Sequence, residues 1–75
     1  MKHTPKTIGA LVRQTRKSMG ATQTDLALTS GTGIRFIVDL ENGKPTCQLE
    51  KTLIVLQTLG IRIDLTAPAS VSSIK

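Results

Sequence analysis

The first recurring pattern of apolar and polar positions covers residues 7 to 19. Its apolar side chains follow the i, i+3, i+4 spacing of one helix face and are Ile8, Leu11, Val12 and Met19. Proline is favoured in the first turn of a helix and glycine just after the last, so Thr4-Pro5 and Gly20 mark the expected ends. The pattern predicts a first helix with one apolar face.

A capping sequence opens the second predicted helix. Thr22 can accept a hydrogen bond from the backbone N–H three residues on, while Asp25 reaches back to the N–H of the cap. Leu26 and Ala27 follow as the buried side. Gly31 can take the left-handed conformation that a tight turn requires, so we expect a short helix that ends near residue 30.

A third helix is predicted directly after this turn. It should begin around Thr32 or Gly33 and place Ile37 and Leu40 on its inner face. The Asn-Gly-Lys-Pro run of residues 42–45 closes it, because proline cannot continue a helix. Two short helices joined by a glycine turn form a helix-turn-helix, whose second helix can lie in the major groove of DNA.

The richest apolar stripe of the chain predicts a fourth helix. Thr46 is its expected N-cap, Cys47 falls in its first turn, and Gly60 ends it. The stripe comprises Leu49, Leu53, Leu56 and Leu59, widened by Ile54 and Val55.

Residues 61–65 alternate strictly between apolar and charged side chains, which predicts a strand. A strand cannot be stable alone, so we expect Ile61, Ile63 and Leu65 to pair with the same strand of a second copy. The alternative is an extended segment packed along its own helix bundle. Residues 67–75 are expected to form a disordered tail, which leaves residues 1–66 as the domain.

Charge suggests the kind of partner. The net charge of the 75-residue chain is +5, and the whole excess precedes Asp25, the first acidic residue. It comes from Lys2, Lys6, Arg13, Arg16 and Lys17. A concentrated positive face suits a polyanion such as nucleic acid, and the alternative is a face that only favours solubility. Lys2 and Lys6 form either a basic arm on phosphate or a frayed terminus.

Composition argues against several classes of protein and several kinds of site. A single cysteine, Cys47, and a single histidine, His3, cannot make an internal disulfide or a zinc site. No catalytic set and no phosphate-binding loop is evident, so we expect no enzyme and no cofactor. No signal peptide or membrane span is expected, which favours a cytoplasmic protein. A chain this short buries little surface, which favours oligomerisation.

The helix-turn-helix pattern resembles a known family. The matching positions are Thr22, Gln23, Leu26, Ala27, Gly31, Ile37 and the run Leu40, Glu41, Asn42, Gly43 and Lys44. They are similar to the Xre/Cro (lambda-repressor-like) proteins over residues 8 to 59. Because a short strand also follows helix four there, the chain most resembles the HipB-type antitoxins. The resemblance implies an all-α domain of four to five helices with a C-terminal strand that pairs across a homodimer.

The resemblance also implies roles for individual residues. DNA contacts are expected at Thr22, Gln23, Thr32, Gly33, Ile34, Arg35, Asp39, Asn42 and Lys44. Gln23 would reach the phosphate backbone or an edge base, and Thr22 would cap the helix whose amides face a phosphate. Arg16 and Glu41 match a family ion pair between helix one and the end of helix three, which would make Arg16 structural.

Several of these positions leave alternatives open. Base-reading positions in the family are often Gln, Ser or Asn, whereas Gly33 and Ile34 offer only close approach and apolar contact. Ile34 either meets a thymine methyl or belongs to the core. Phe36 either packs in the core or contacts DNA or a partner. Asp39 either accepts from cytosine N4, orients Arg35 one helical turn earlier, or faces solvent.

The expected function is therefore a homodimeric, sequence-specific DNA-binding repressor on a palindromic operator. The HipB-type resemblance implies an antitoxin of a type II toxin-antitoxin system, which represses its own operon and binds a HipA-like kinase toxin or an accessory protein of that operon. The alternatives are an interaction module with weak DNA readout and a stand-alone phage-type repressor.

Overall fold

The computed structural model describes residues 3–68 and contains four α-helices in that range. The helices are α1 (Pro5–Ser18), α2 (Gln23–Ser30), α3 (Ile34–Glu41) and α4 (Leu49–Thr58). The all-α class and the succession of helices predicted from the sequence are confirmed. The longest of these helices has 14 residues, and none of them is long and apolar enough to cross a membrane.

The predicted ends of α1 are confirmed, but its buried face differs from the predicted one. Thr4 caps the helix, since its side chain accepts from the N–H of Thr7. Leu11 and Met19, both predicted to face inward, are exposed. The buried stripe contains Val12, as predicted, together with Gly9 and Arg16. Gly9 lets the backbones of α1 and α3 approach closely, and this approach sets which side of α1 faces the core.

One apolar core holds the helices together. α3 packs against both α1 and α2, and α4 packs against α2. The core side chains come from every helix and are Val12, Leu26, Ala27, Ile37, Leu40, Val55 and Leu56, with Leu59 just after α4. Partly buried side chains of Ile8, Phe36, Cys47 and Ile61 extend it. Apolar burial of this kind is the main stabilising term for so small a domain.

The predicted start of α4 is wrong. Gln48 is the N-cap, without a side-chain hydrogen bond, and the helix begins at Leu49. Thr46 therefore lies before the cap, and Cys47 is not in the first turn. Leu49 and Leu53 are exposed although the apolar stripe predicted them to be buried. The stripe is wider than the contact of α4 with α2. Val55, Leu56 and Leu59 therefore reach the core, and Leu49 and Leu53 do not.

Residues 61–68 follow α4 without helix or strand in the single chain. The N–H of Ile61 donates to the carbonyl of Leu56 at 2.9 Å, and the Ile61 side chain packs against the core. Ile63 and Leu65 are exposed. A strand needs a pairing partner, which the prediction places in a second copy, so the pairing stays a prediction. Lys2 and most of the predicted tail, residues 69–75, lie outside the described range.

Candidate nucleic-acid interface

The turn between α2 and α3 is fixed by its own hydrogen bonds. Gly31 has a φ of 74°, the left-handed conformation predicted for it. The N–H of Thr32 donates to the carbonyl of Ala27 at 3.1 Å, and the hydroxyls of Thr32 and Ser30 lie 2.9 Å apart. The Thr32 hydroxyl, predicted to contact DNA, is therefore hydrogen-bonded within the turn. These bonds set the angle at which α3 leaves α2.

The N-terminal half of α3 presents an outward face. Gly33 is the N-cap and makes no side-chain hydrogen bond, so the first N–H groups of α3 point out without a side-chain cap. Ile34 is 48% exposed, which places it outside the core. The side chain of Arg35 is 85% exposed. Helix geometry puts these three positions at the tip of the element while Ile37 and Leu40 anchor it.

Phe36 lies on the inner side of the same helix. It is partly buried and packs against the core cluster, as the core alternative predicted. The Nζ atom of Lys51 lies 5.9 Å from the centre of its ring, a cation–π distance. Phe36 therefore ties α3 to α4 and is not part of the outward face.

Asp39 sits at the other end of the outward face between two basic side chains. One carboxylate oxygen lies 3.5 Å from Nε of Arg35, and the other lies 3.5 Å from Nζ of Lys44. The pairing with Arg35 is the i, i+4 contact that the orienting alternative predicted. Asn42 and Lys44 are both exposed just beyond α3.

A buried ion pair connects α1 to the end of α3. Nε of Arg16 donates to Glu41 at 2.6 Å and a second guanidinium nitrogen donates at 3.0 Å, so the pair is bidentate. A third Arg16 nitrogen donates to the carbonyl of Ala21 at 2.8 Å. The hydrogen bond to Glu41 raises the pKa of Arg16, its burial opposes this, and the carboxylate charge adds to the rise. Arg16 thus occupies the structural position that the resemblance implied.

Gln23 is placed differently from the expectation for its side chain. Its amide nitrogen donates to a Glu41 oxygen at 3.1 Å and so belongs to the same buried network. The side chain links the start of α2 to the end of α3. The backbone N–H of Gln23, the first residue of α2, has no acceptor within the helix and stays available to a phosphate.

An open polar cleft of about 420 Å³ lies over this network. Its walls come from α1, from the start of α2 and from the end of α3: Arg13, Arg16, Ala21, Thr22, Gln23, Glu41 and Asn42. Arg13 is exposed at the rim and was not among the predicted contacts. The signal for it in the sequence was the basic i, i+4 stripe of Arg13 and Lys17 on α1.

The capping box of α2 is formed as predicted. The N–H of Asp25 donates to Thr22 Oγ1 at 3.0 Å, and the N–H of Thr22 donates to the Asp25 carboxylate at 2.9 Å. The backbone hydrogen bond from Thr22, followed by the one from its side chain, lowers the pKa of Asp25. The box orders the end of α2 that faces the cleft.

Cys47 is a half-buried free thiol. Burial raises its pKa, the charge of Asp39 raises it further, and Lys44 opposes the rise. A thiol in this state is mostly protonated near neutral pH and a poor nucleophile. Among residues 3–68 no group of three or more His, Cys, Asp or Glu side chains is placed to hold a metal ion.

Comparison with known proteins gives two kinds of similarity. The chain is 60% identical over 65 residues to the uncharacterized HTH-type transcriptional regulator y4mF of Sinorhizobium fredii (strain NBRC 101917 / NGR234), covering 87% of this chain and 86% of the relative. Its fold is similar to that of a HipB–O4 20mer complex, with a TM-score of 0.78, 24% identity, and coverage of 89% of this chain and 94% of HipB. An O2 20mer complex of a HipB variant gives the same TM-score and identity, with 89% and 93% covered. No protein-family model matches the chain.

The fold and the outward face define a helix-turn-helix domain. The chain belongs to the HTH-type transcriptional regulators, as its identity with y4mF shows. Its fold is that of HipB, so the resemblance to HipB-type proteins is confirmed at the level of the fold.

Proposed function

We propose that this protein is a sequence-specific transcriptional repressor that binds a palindromic operator as a homodimer. The observation that carries the proposal is the outward face of α3, with an N-terminus that has no side-chain cap and an Arg35 side chain that is 85% exposed. A guanidinium at that place can donate two hydrogen bonds to O6 and N7 of guanine. In a two-fold dimer the two copies of α3 would reach successive major grooves, about 34 Å apart.

The remaining outward groups divide into two roles. Gly33 and Ile34 bring the tip of α3 close to the bases, and the Ile34 side chain suits a thymine methyl. Backbone phosphates are contacted by groups that line the polar cleft and by Lys44 beyond α3. The proposed contacts from the cleft are Thr22 and the backbone of Gln23 at the start of α2, Asn42 after α3, and Arg13 of α1.

The antitoxin role is the finer part of the proposal. The chain shares its fold with HipB over 89% of its length, which supports a HipB-like antitoxin that represses its own operon and binds a HipA-like kinase toxin or an accessory protein. An adjacent reading frame for a kinase-like protein, and co-purification of the two products, would support it. A chain encoded without such a neighbour would instead be a stand-alone repressor.

One observation favours a second candidate function. Gly33 and Ile34 offer no side-chain hydrogen bonds at two positions that read bases in the Xre/Cro proteins, which leaves Arg35 to supply much of the readout. A protein that mainly sequesters a protein partner and binds DNA weakly would also lack hydrogen-bonding side chains at these two positions.

Fluorescence anisotropy separates the two candidates. The purified chain is titrated onto a duplex from its own promoter and onto a scrambled duplex of the same length, across a salt series. A repressor should bind the promoter at least about a thousandfold more tightly. Equal, steeply salt-dependent binding to both duplexes would contradict sequence-specific repression and favour the interaction module.

Substitutions at α3 test the division into base and phosphate contacts. Arg35→Ala should cost about 1 to 3 kcal/mol of discrimination at one base pair of each half-site. Lys44→Ala should weaken binding to every sequence similarly and reduce the salt slope by about one. An unchanged base preference in Arg35→Ala, measured on operators with single base-pair changes, would remove Arg35 from base readout.

A further inference from the structure

Asp39 is the one acidic side chain of α3 that lies between the proposed base contact and a proposed phosphate contact. Its carboxylate lies 3.5 Å from Arg35 on one side and 3.5 Å from Lys44 on the other. The side chain of Asp39 is 23% exposed, against 85% for Arg35 and 53% for Lys44. The anion is thus held near the protein surface while both cations extend past it.

The backbone fixes the same arrangement. Asp39 is one helical turn after Arg35, so their side chains share a face of α3. Lys44 lies beyond the helix end, yet its N–H donates to the carbonyl of Asp39 at 3.0 Å. Residue 39 therefore holds Lys44 through its backbone and through its side chain.

The charges argue against a bare carboxylate on the DNA. An unpaired anion facing the duplex would be repelled by the phosphates, and this one has a cation against each oxygen. The negative charge of Asp39 is thus compensated within the protein by a cation 3.5 Å from each oxygen, and the side chain is held back between these cations.

We infer that Asp39 is a positioning residue that orients Arg35 and Lys44 together, and that it is not itself a base contact. The inference rests on the proposed function of α3. The shared carboxylate links the base contact to the phosphate contact, because a rotamer change of either cation alters the field acting on the other. Specificity at the Arg35 base pair therefore depends on an acidic residue that touches no base.

Asp39→Asn should change binding in two opposite ways. Discrimination at the Arg35 base pair should fall roughly two- to fivefold, the range of an exposed ion pair, because Arg35 loses its orienting partner. Affinity for a scrambled duplex should rise and its salt slope should steepen, because Lys44 is released towards phosphate. Loss of a direct base contact would lower discrimination and raise affinity for the scrambled duplex no more than another charge removal does, without steepening the salt slope.

The test is a double-variant cycle read by anisotropy. The base pair whose discrimination is lost in Arg35→Ala is identified first, and Asp39→Asn is then measured at that base pair in the wild-type and Arg35→Ala backgrounds. We expect the loss of discrimination only when Arg35 is present. A loss of equal size in the Arg35→Ala background would overturn the inference in favour of a direct contact, and no loss in either background would overturn it in favour of a solvated carboxylate.

Glu50→Gln is the matched control, since Glu50 is exposed at the start of α4 and the variant removes the same charge. It should raise affinity for all duplexes slightly and leave discrimination unchanged. Thermal unfolding checks that each variant is folded. A wild-type protein that binds the scrambled duplex as tightly as the promoter would contradict the proposed function itself. A wild-type protein that prefers its promoter, together with an Asp39→Asn variant of unchanged discrimination, would contradict only the inference about Asp39.

Discussion

At the scale of the single residue, Gly9 sets how closely α1 and α3 approach. A Cβ built on Gly9 would overlap the carbonyl oxygen of Leu40 and lie 2.9 Å from the carbonyl oxygen of Glu41. Both obstacles are backbone atoms near the end of α3, so no side chain can rotate away. The close approach also brings Arg16, two turns along the same helix, within reach of Glu41.

Gly9→Ala should therefore destabilise the protein. Alanine in a helix is intrinsically favoured over glycine by about 0.5 to 1 kcal/mol, but an inserted methyl group in a packed contact costs about 1 to 3 kcal/mol. We expect a net loss, visible as a lower midpoint of urea unfolding. Gln14→Ala, at an exposed position of the same helix, is the control and should leave the midpoint nearly unchanged. A Gly9→Ala variant as stable as the wild type would contradict the close contact.

The Arg16–Glu41 pair should behave as a buried unit. The two residues are 7% and 9% exposed, so removing either one leaves the other charge buried without its partner. Arg16→Ala or Glu41→Ala should cost about 3 to 5 kcal/mol, a large part of the free energy of unfolding of so small a domain. The double variant Arg16→Ala, Glu41→Ala should lose less than the sum of the two single losses in urea unfolding. Strictly additive losses would show that the pair does not act as a unit.

The sequence could predict some of these residue roles but not all. The residues of the ion pair are 25 positions apart, and only the family resemblance joined them. The engagement of Gln23 with Glu41 was missed because it depends on the angle between α2 and α3, which no local spacing encodes. Arg35 was expected on the outward face, whereas the period of α3 left Ile34 open between the core and that face, and its exposure of 48% places it outside the core.

At the scale of the element, the sequence predicted those helix ends and turns that are fixed by contacts between residues close together in the chain. The Thr22–Asp25 capping box and the Gly31 turn each form within a few residues, and both were predicted correctly. The start of α4 was wrong because Thr46 lies in a turn of the segment before the helix, and Gln48, which makes no side-chain cap hydrogen bond, occupies the N-cap position. The buried faces of α1 and α4 were partly wrong because each helix has more apolar residues than its neighbours can cover.

The capping box of α2 should make stability depend on acid pH. The folded-state pKa of Asp25 is lowered from its ordinary value of 3.8. Its contribution is therefore fully present above the pKa of the unfolded chain and is lost as the pH falls through the lower folded-state pKa. The stability advantage of the wild type over Asp25→Asn should be constant near neutral pH and shrink below about pH 4. Thermal unfolding across this range measures it.

Asp64→Asn is the control for the charge change, because Asp64 is exposed in the segment after α4. Its unfolding curve should follow that of the wild type across the acid range. An Asp25→Asn variant whose difference from the wild type does not change with pH would show that the carboxylate charge adds nothing to the cap.

At the scale of the whole molecule, the proposed second copy would pack on apolar surface that the single chain leaves exposed. Ile63 is exposed, and it lines a groove of about 410 Å³ with Ile8 and Leu11 of α1 and Leu56 of α4. The sequence predicted that this segment pairs as a strand in a dimer. A dimer contact cannot be read from the core of one chain, because the residues that make it are by definition not buried there.

Ile63→Asp should separate the proposed dimer. A buried aspartate at a two-fold contact meets its own copy, and both desolvation and like-charge repulsion oppose the assembly. Light scattering should give the mass of two chains for the wild type and of one chain for the variant, with Thr66→Asp, outside the predicted strand, as the control for added charge. Operator affinity should fall with dissociation, since one half-site contact is lost from each complex. A variant that keeps the mass of two chains would place the dimer contact elsewhere, and a wild type with the mass of one chain would leave residues 61–65 as a segment packed on its own helices.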